Sequence, residues 1–594
     1  MLLKYFFLLL FSTFASSVNI LIFLIGTNQF ERHSFEYLAQ QLALRHHTVV
    51  TVKPILIPEE PRLVKPKLHL VKEKALKNLL PTNLYRPLEN VGEDVPWRES
   101  YEIDAFDEPY WAAHNYSCDK ILNSNLMDSL KKDKIDVALV YAGNPCQLAL
   151  MHVMGIPFIY VDLQGYTDET VIASSAPWNL DSFSTRRSPS FGRINFGSRL
   201  LNGYHLLKEA IVQNSIPPVA RVLSKRYKHL DEPITKNFAE DYEIKKKFKF
   251  FPDINKSSSC ICVETLCIIF VAHVEIEGFD IWKTSHIKQS AELYFVNTDP
   301  ILEDGTSFPA NVVPVGGFHV DHVKPLFSPW NTTIAAAEEG MIVVSLGTQS
   351  DSTKMMSSHF KAVLGALSKL TKYRIYWRIG PNMSEMKDLD LDKIPSHINM
   401  TTFVPQNDLL GHKRCRLLIT NGGMSSIMEA VTHGVPMIGI PLYGVNYANL
   451  MKVQNKGLGL VVQKNMLTEG NLLGAIKEVL ENKRFSTFAK DASREFKDRS
   501  ESPFDKVLHL IEHVGRNRGA KFLRPSRQGI STTWTRGNNL DFWIICGCIS
   551  FVFFLFLQSV VGLLFRFAKQ GPPPGSAGIE IQKEKETKES KKTK

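Results

Sequence analysis

Short apolar runs rich in β-branched residues alternate with helix-length segments along both halves of the 594-residue chain. The runs cover residues 19–25, 48–52, 135–141 and 156–161 in the first half, and 341–345, 373–379, 417–420 and 436–440 in the second. Strands that alternate with helices favour parallel sheets covered by helices on both faces. The pattern predicts an α/β chain of two Rossmann-like domains, with ligands at the carboxyl ends of the strands, in the cleft between the domains.

Several segments fall between these runs. Residues 26–32 predict a loop, and Phe35, Leu38 and Leu42 then mark the apolar face of a helix. Residues 60–120, irregular and rich in Pro, Trp and Tyr, favour a variable binding region over a sheet. A core helix is expected within residues 258–290, at the apolar stretch 260–274, and the turn-rich residues 314–317 are expected to link the two domains.

Near the C-terminus, residues 542–565 form a run without any charged side chain. A helix of 24 residues would be ~36 Å long, enough to cross a hydrocarbon core of ~30 Å. Arg566 and Lys569 follow the run, and positive charge marks the cytosolic side of a membrane span. The sequence therefore predicts one transmembrane helix, with residues 18–541 in the lumen.

The two ends of the chain resemble targeting signals. Residues 1–17 have the positive start, apolar centre and small residues of a secretory signal peptide. The tail ends with Lys591 and Lys592 three and four residues from the terminus, similar to the dilysine signal that retains proteins in the endoplasmic reticulum. We expect a single-pass type I protein of that membrane. Five glycosylation sequons agree with a lumenal glycoprotein: they begin at Asn115, Asn255, Asn331, Asn382 and Asn399.

Charge and cysteine content exclude other classes. Lys and Arg number 70 and Asp and Glu 60, a net charge of +10, and the tail from Arg566 onward supplies +4 of it (eight basic minus four acidic residues). The remainder is too dilute for a nucleic-acid-binding surface. The eight cysteines lack the paired spacing of a zinc site.

The strand at 417–420 runs directly into Asn421, Gly422 and Gly423, and a helix that contains Glu429 follows. Glycines allow a ligand to approach the backbone closely, and the first amides of a helix attract phosphate. Glu429 can accept hydrogen bonds from ribose hydroxyls. The alternative is a tight strand–helix turn with no ligand.

Further elements at regular spacing surround this turn. In chain order they are Phe403-x-Pro405-Gln406, Asn421-Gly422-Gly423, Glu429, Gly434-x-Pro436 and Pro441-Leu442. With these elements the chain resembles the membrane-bound animal UDP-glucuronosyltransferases of the UDP-glycosyltransferase family. The resemblance covers the whole chain and implies a GT-B-like fold, in which two Rossmann-like domains face a cleft.

The resemblance implies a domain plan and an activity. The plan is a signal peptide (1–17), an acceptor-binding domain (18–315), a UDP-sugar-binding domain (316–505), a return segment (506–541), the transmembrane helix (542–565) and a cytosolic tail (566–594). The activity is transfer of a sugar, glucuronic acid or glucose, from a UDP-sugar to a hydroxyl of a small lipophilic acceptor. Configuration at the sugar carbon inverts, and no metal or other cofactor takes part. We therefore interpret the Asp-x-Asp of Asp388 and Asp390 as solvated surface.

The resemblance also implies residue roles. Phe403 would stack on uracil, Gln406 would bind the base and Glu429 the ribose. The diphosphate would lie along Gly347, Thr348, Asn421, Gly422, Gly423 and Ser425, and Asn446 would face the sugar.

Some positions depart from the family pattern. Asn421 replaces a histidine that contacts phosphate, Val445 and Asn446 replace the Asp-Gln pair that holds the sugar, and Tyr141 stands at the place of an aspartate. That aspartate orients the histidine base, whose place falls at Glu31, with His33 two residues later. We take His33 as the candidate base, against the alternative that it faces solvent, and expect His46 and His47 to lie on the surface.

These departures leave two function hypotheses open. One is the glycosyltransferase. The other is an inactive paralogue that binds a UDP-sugar or a hydrophobic ligand, or modulates active family members as a hetero-oligomer. A homo-oligomer is also compatible with the sequence.

Overall fold

The computed structural model describes residues 17–24, 29–56, 70–97, 104–141, 144–174, 176, 197, 199–206, 290–303, 308–335, 337–348, 350, 352–380, 394–524 and 540–569. Several predicted features lie outside these residues: the signal peptide up to residue 16, the helix at 258–290, Asn255, Asn382, the Asp388–Asp390 motif and the tail beyond residue 569. Residues 1–526 form one compact unit and 527–594 a second.

The first sheet has seven parallel strands in the order β3-β2-β1-β4-β5-β6-β7. They are β1 (Asn19–Phe23), β2 (Thr48–Pro54), β3 (Val71–Leu76), β4 (Val137–Tyr141), β5 (Phe158–Asp162), β6 (Leu293–Val296) and β7 (Val312–Pro314). The second sheet has six parallel strands in the order β10-β9-β8-β11-β12-β13. They are β8 (Gly340–Ser345), β9 (Tyr373–Arg378), β10 (Ile398–Thr401), β11 (Cys415–Thr420), β12 (Met437–Gly439) and β13 (Gly459–Val461).

Helices cover both faces of each sheet. Before the second sheet they are α1 (Gln29–Leu44), α2 (Thr82–Asp94), α3 (Asp104–Leu122), α4 (Leu126–Asp133), α5 (Pro145–Met154), α6 (Asp168–Ala173) and α7 (Trp330–Ala335). Those that follow are α8 (Ser357–Ser368), α9 (Gln406–Leu410), α10 (Met424–His433), α11 (Gly444–Asn455), α12 (Glu469–Glu481), α13 (Lys483–Lys497), α14 (Pro503–Asn517) and α15 (Leu540–Lys569). Short 3₁₀ helices lie at Val95–Trp97, Ser352–Lys354 and Lys464–Met466.

The predicted α/β architecture is confirmed, because each apolar run of the sequence is a buried parallel strand. Phe35, Leu38 and Leu42 of α1 are buried against the first sheet, as their spacing predicted. The predicted loop at 26–32 is too long, since α1 begins at Gln29. His47, expected on the surface, is 7% exposed because its Nε2 lies 3.0 Å from Glu512 Oε1 on α14.

The prediction of a variable binding region rather than a sheet over residues 60–120 is wrong at β3. This strand lies at the edge of the first sheet and reads Val-Lys-Glu-Lys-Ala-Leu, so it lacks a buried apolar run. Lys72 and Lys74 instead pair with Asp133 at the end of α4. Edge strands carry such charges because they have one unpaired side, which is why periodicity did not reveal this one.

Helix α14 returns from the second half to the first sheet. Ser502 caps it by accepting a hydrogen bond from the Asp505 amide, and Pro503 occupies its first turn. Its residues Val507, Ile511 and Val514 are buried in the cluster that contains β1.

Within the described residues, α15 provides the one helix long and apolar enough to cross a membrane, at Ile545–Arg566. The predicted span at 542–565 therefore coincides with a single continuous helix of 30 residues.

Candidate functional site

Two neighbouring strands of the second sheet, β8 and β11, end in glycine turns that touch each other. Gly347 follows β8 with φ of +94°, and a Cβ atom there would lie 2.5 Å from Asn421 Nδ2. The carbonyl of Gly347 accepts a hydrogen bond of 2.7 Å from Arg378 at the end of β9. The fold thus brings Gly347 together with Asn421, as expected of two turns along one diphosphate, while Thr348 lies exposed beside them.

The turn after β11 leads into the N-terminus of α10. Gly422 has φ of +92°, and its Cα approaches α11 so closely that a Cβ would lie 2.7 Å from the Asn446 carbonyl oxygen. Gly423 is the N-cap, and its amide donates to Asn421 Oδ1 over 3.2 Å. Within 4 Å, a Cβ on Gly423 would meet only the side-chain oxygen Oδ1 of Asn421, at 3.6 Å. A ligand can therefore approach the backbone closely at the N-terminus of α10, where the helix dipole is positive.

Gln406 and Glu429, predicted to hold the nucleoside, are in direct contact. Gln406 Nε2 donates to Glu429 Oε2 at 2.7 Å and to Ser426 Oγ at 2.9 Å. Burial raises the pKa of Glu429 to about 7, although the Gln406 hydrogen bond opposes that shift. Phe403, three residues before Gln406, is two-thirds exposed.

His319 completes this cluster from the segment that links the two sheets. Its Nε2 lies 3.2 Å from the Ser425 carbonyl oxygen and 3.9 Å from Glu429 Oε1. Burial lowers the pKa of His319 to about 4, so the ring is neutral at physiological pH. His319 belongs to none of the predicted motifs, and its one sequence signal was its place two residues after the glycine turn at 316–317.

The first domain contacts the same helix from the other side of the cleft. Asn297, directly after β6, donates from Nδ2 to Ser425 Oγ at 3.2 Å and to the Leu163 carbonyl at 3.0 Å. Asn449 on α11 donates to the Gln164 carbonyl at 2.9 Å. The apolar run of β6 followed by a polar residue was the signal that could have identified Asn297.

A second contact across the cleft lies near the position expected for the sugar. Lys464 is 1% exposed, and its Nζ donates to the carbonyls of Pro96 at 3.2 Å and Leu442 at 3.0 Å. Trp97 is buried with the apolar core of the second domain. The predicted sugar-facing Asn446 is also buried, at 5% exposure, on the first turn of α11.

The candidate base lies on α1, next to the carboxyl edge of the first sheet. His33 is half exposed, and its Nδ1 lies 3.0 Å from Glu36 Oε2. The side chain of Glu31 lies outside the described atoms. Tyr141, at the end of β4, accepts a 3.4 Å hydrogen bond from Gln164 and packs its ring 6.5 Å from that of Phe35.

A cavity lies at this carboxyl edge, between the sheet and α3 and α5. Its wall is mostly apolar, with a few polar groups: Phe23, Val52, Pro54, Leu56, His114, Ser117, Ile121, Tyr141, Asn144, Cys146, Gln147 and Leu150. Burial lowers the pKa of His114 to about 4. A disulfide between Cys118 and Cys146, which spacing did not reveal, ties α3 to α5 beside the cavity.

Similarity to known proteins identifies the family of this chain. The model of the family described as "UDP-glucoronosyl and UDP-glucosyl transferase" matches residues 261–571, just over half of the chain. The chain belongs to the UDP-glycosyltransferase family. Its members transfer sugars from UDP-sugars, and the chain is accordingly a glycosyltransferase of this kind.

Relatives of this UDP-glycosyltransferase match most of its length. Human UDP-glucuronosyltransferase 2B15 is 25% identical over 90% of this chain and 91% of its own. The mouse 2-hydroxyacylsphingosine 1-beta-galactosyltransferase is 26% identical over 74% and 70%. Os79 from O. sativa, solved in complex with U2F and trichothecene, is 13% identical with a TM-score of 0.54, covering 84% of this chain and all of its own. That likeness supports the GT-B fold.

Proposed function

We propose that this UDP-glycosyltransferase binds its donor along the β8 and β11 turns and the N-terminus of α10. The observation that carries the proposal is the contact of Gln406 with Glu429 next to those turns. Gln406 would bind the uracil, Phe403 would stack on it, and Glu429 would accept the ribose hydroxyls. The α10 amides and the Asn421 side chain would stabilise the leaving diphosphate, so that transfer needs no metal ion.

The acceptor would be a small lipophilic molecule that approaches the carboxyl edge of the first sheet beside this cavity, because most of the wall there is apolar. His33 would act as general base. Its ring takes the proton of the acceptor hydroxyl while that oxygen bonds to C1 of the sugar, opposite the phosphate. The bond from C1 to the phosphate oxygen breaks, its electron pair leaves on UDP, and configuration at C1 inverts.

The test is UDP release by the purified full chain in detergent, with UDP-glucuronate or UDP-glucose and a panel of lipophilic alcohols and phenols. We expect acceptor-dependent UDP release that Glu429→Ala abolishes and that EDTA leaves unchanged. No UDP release with any combination would contradict the proposal.

A second candidate function, that of a UDP-sugar-binding protein without catalysis, is favoured by two departures. Tyr141 presents a phenol where an orienting carboxylate is expected, and Asn421 is engaged in capping Gly423. Calorimetry with UDP and UDP-sugars separates the candidates. Binding without turnover supports this second function.

We further propose that the protein resides in the membrane of the endoplasmic reticulum, with its two sheets in the lumen. The Cys118–Cys146 disulfide is typical of an oxidising compartment, and Asn331 is an exposed sequon. The single apolar helix α15 would hold it there.

A further inference from the structure

The candidate base has a carboxylate partner within its own helix. Glu36 follows His33 by three residues, so both lie on the same face of α1, and their Oε2 and Nδ1 atoms are 3.0 Å apart. A carboxylate on Nδ1 fixes the ring tautomer, because Nδ1 keeps its proton and Nε2 becomes the accepting atom.

This pair lies in the first turns of α1, near the carboxyl edge of the first sheet. Helix α1 begins at Gln29 after β1, and His33 is about 6 Å along the helix axis from that start. Phe35, two residues after His33, lies on the opposite, buried face of α1 and packs against Tyr141 at the end of β4. Position 141 thus has no carboxylate, and the carboxylate next to His33 is that of Glu36 on the same helix.

We propose that Glu36 is the positioning residue of the glycosyl transfer: it orients His33 and stabilises the imidazolium that forms when His33 takes the acceptor proton. The inference rests on His33 being the base in the proposed function. Glu36 itself gains no proton. The proton stays on His33 Nε2 until UDP leaves and solvent removes it.

Glu36 also contacts charged neighbours other than His33. A test must separate these structural contacts from the proposed positioning role. Arg32 Nε on α1 lies 3.6 Å from Glu36 Oε1, and Lys53 faces it from β2. Burial pushes the pKa of Glu36 up, but the hydrogen bond and charge of His33, with Arg32 and Lys53, hold it below its ordinary value. The carboxylate is thus ionised, as an orienting group requires.

The fold offers a matched control. His47 and Glu512 form another histidine–glutamate contact of 3.0 Å in the same domain. His47 directly precedes β2, at the amino edge of the sheet, far from the cavity. Glu512→Gln removes the carboxylate charge from a histidine contact of the same length, here through Nε2, without touching the proposed machinery.

The experiment measures kcat and KM for the full-length protein and the variants His33→Gln, Glu36→Gln, Glu36→Asp, Glu512→Gln and the double variant H33Q/E36Q. We expect H33Q to lower kcat by ~10²–10⁴-fold and E36Q to lower it by roughly 10- to 100-fold. E36Q should leave KM for the UDP-sugar unchanged, because Glu36 acts on the base and does not contact the donor. E36D should restore kcat in part, and E512Q should leave kcat unchanged.

The double variant decides how Glu36 acts. If it works through His33, E36Q has no further effect on the residual turnover of H33Q. An equal loss in both backgrounds, or an unchanged kcat in E36Q, would overturn the proposal and leave Glu36 a structural partner of Arg32 and Lys53. Unchanged turnover in H33Q would instead remove His33 as the base, a failure of the proposed function itself. Should E36Q not fold, the kcat of E36D, alone and combined with H33Q, still tests the inference.

Discussion

Gly347 shows how one residue shapes the proposed donor site. Its φ of +94° lies in the left-handed region, and the place of its missing side chain is filled by the Asn421 amide. A histidine at position 421 would have a bulkier ring to place against the same glycine. The asparagine here both packs on Gly347 and caps Gly423, so one side chain sets the spacing of both turns.

Gly347→Ala should destabilise the protein by ~1–3 kcal/mol, because a Cβ is strained at this φ and collides with Asn421. UDP binding should weaken in parallel. Thermal unfolding and calorimetry measure the two effects. The control is Gly474→Ala within α12, where a Cβ meets no atom within 4 Å, and which should be neutral or slightly stabilising. Equal unfolding temperatures for both variants would contradict the account.

If Glu429 binds the ribose as proposed, donor binding should depend on pH. Its pKa of about 7 lies above the ordinary value because burial favours the protonated carboxyl in the folded protein. The stability that this protonated carboxyl contributes is lost as the pH rises through 7. Ribose hydroxyls need the ionised form. Asp408 adds to the upward shift in the pKa of Glu429, while His319 stays neutral because its own pKa is about 4.

Affinity for UDP-glucose should therefore rise about tenfold from pH 6 to pH 8, with proton release on binding. Calorimetry in buffers of different ionisation enthalpy detects both. UDP-glucose is the suitable ligand because its diphosphate does not titrate in this range. Glu429→Gln should flatten the profile, and a persistent tenfold rise in that variant would assign the dependence elsewhere.

At the scale of elements, the 3₁₀ helix Val95–Trp97 joins the two domains. It belongs to the first domain by sequence, but Trp97 is buried with the second-domain core. Lys464 fixes it by donating to the carbonyls of Pro96 and Leu442. Leu442 lies two residues before α11, on whose first turn Asn446 lies, so this contact holds the wall of the expected sugar position.

Lys464→Met should cost ~1–3 kcal/mol of stability, because it leaves two buried carbonyls without their donor. The variant should also become sensitive to limited proteolysis around residue 97. Lys477→Met, at an exposed position of α12, is the matched control and should change stability by no more than ~0.5 kcal/mol. Indistinguishable denaturation curves for the two variants would show that Lys464 does not hold this segment.

At the scale of the whole molecule, one apolar helix follows a pair of α/β domains. The orientation proposed from Arg566 and Lys569 places the exposed sequon at Asn331 in the lumen, where it can be glycosylated.

Endoglycosidase treatment of the protein from membranes should therefore produce a mobility shift, and Asn331→Gln should lose one step of it. Thr333→Ser keeps the sequon and should keep the glycan. A chain without any glycan, together with protease sensitivity of its two domains in intact vesicles, would reverse the proposed orientation.

The sequence by itself determined the elements whose signal is local. Buried central strands read as apolar runs, the turns after β8 and β11 read as glycines, and α15 reads as an uncharged stretch. The roles expected of Gln406 at the base and Glu429 at the ribose came from the family resemblance, whereas their direct contact is a finding of the structure. Edge strands such as β3 and β10 gave no such signal, because one side of an edge strand faces solvent.

Only the tertiary structure decided which distant groups meet. Lys464 and Pro96 are 368 residues apart, Asn297 and Ser425 are 128 apart, and no periodicity encodes either contact. Cys118 and Cys146 likewise pair because α3 and α5 pack side by side. Burial pattern is a property of each segment and can be read along the chain. Contacts across the cleft depend on how two finished domains pack, and that information is distributed over both cores.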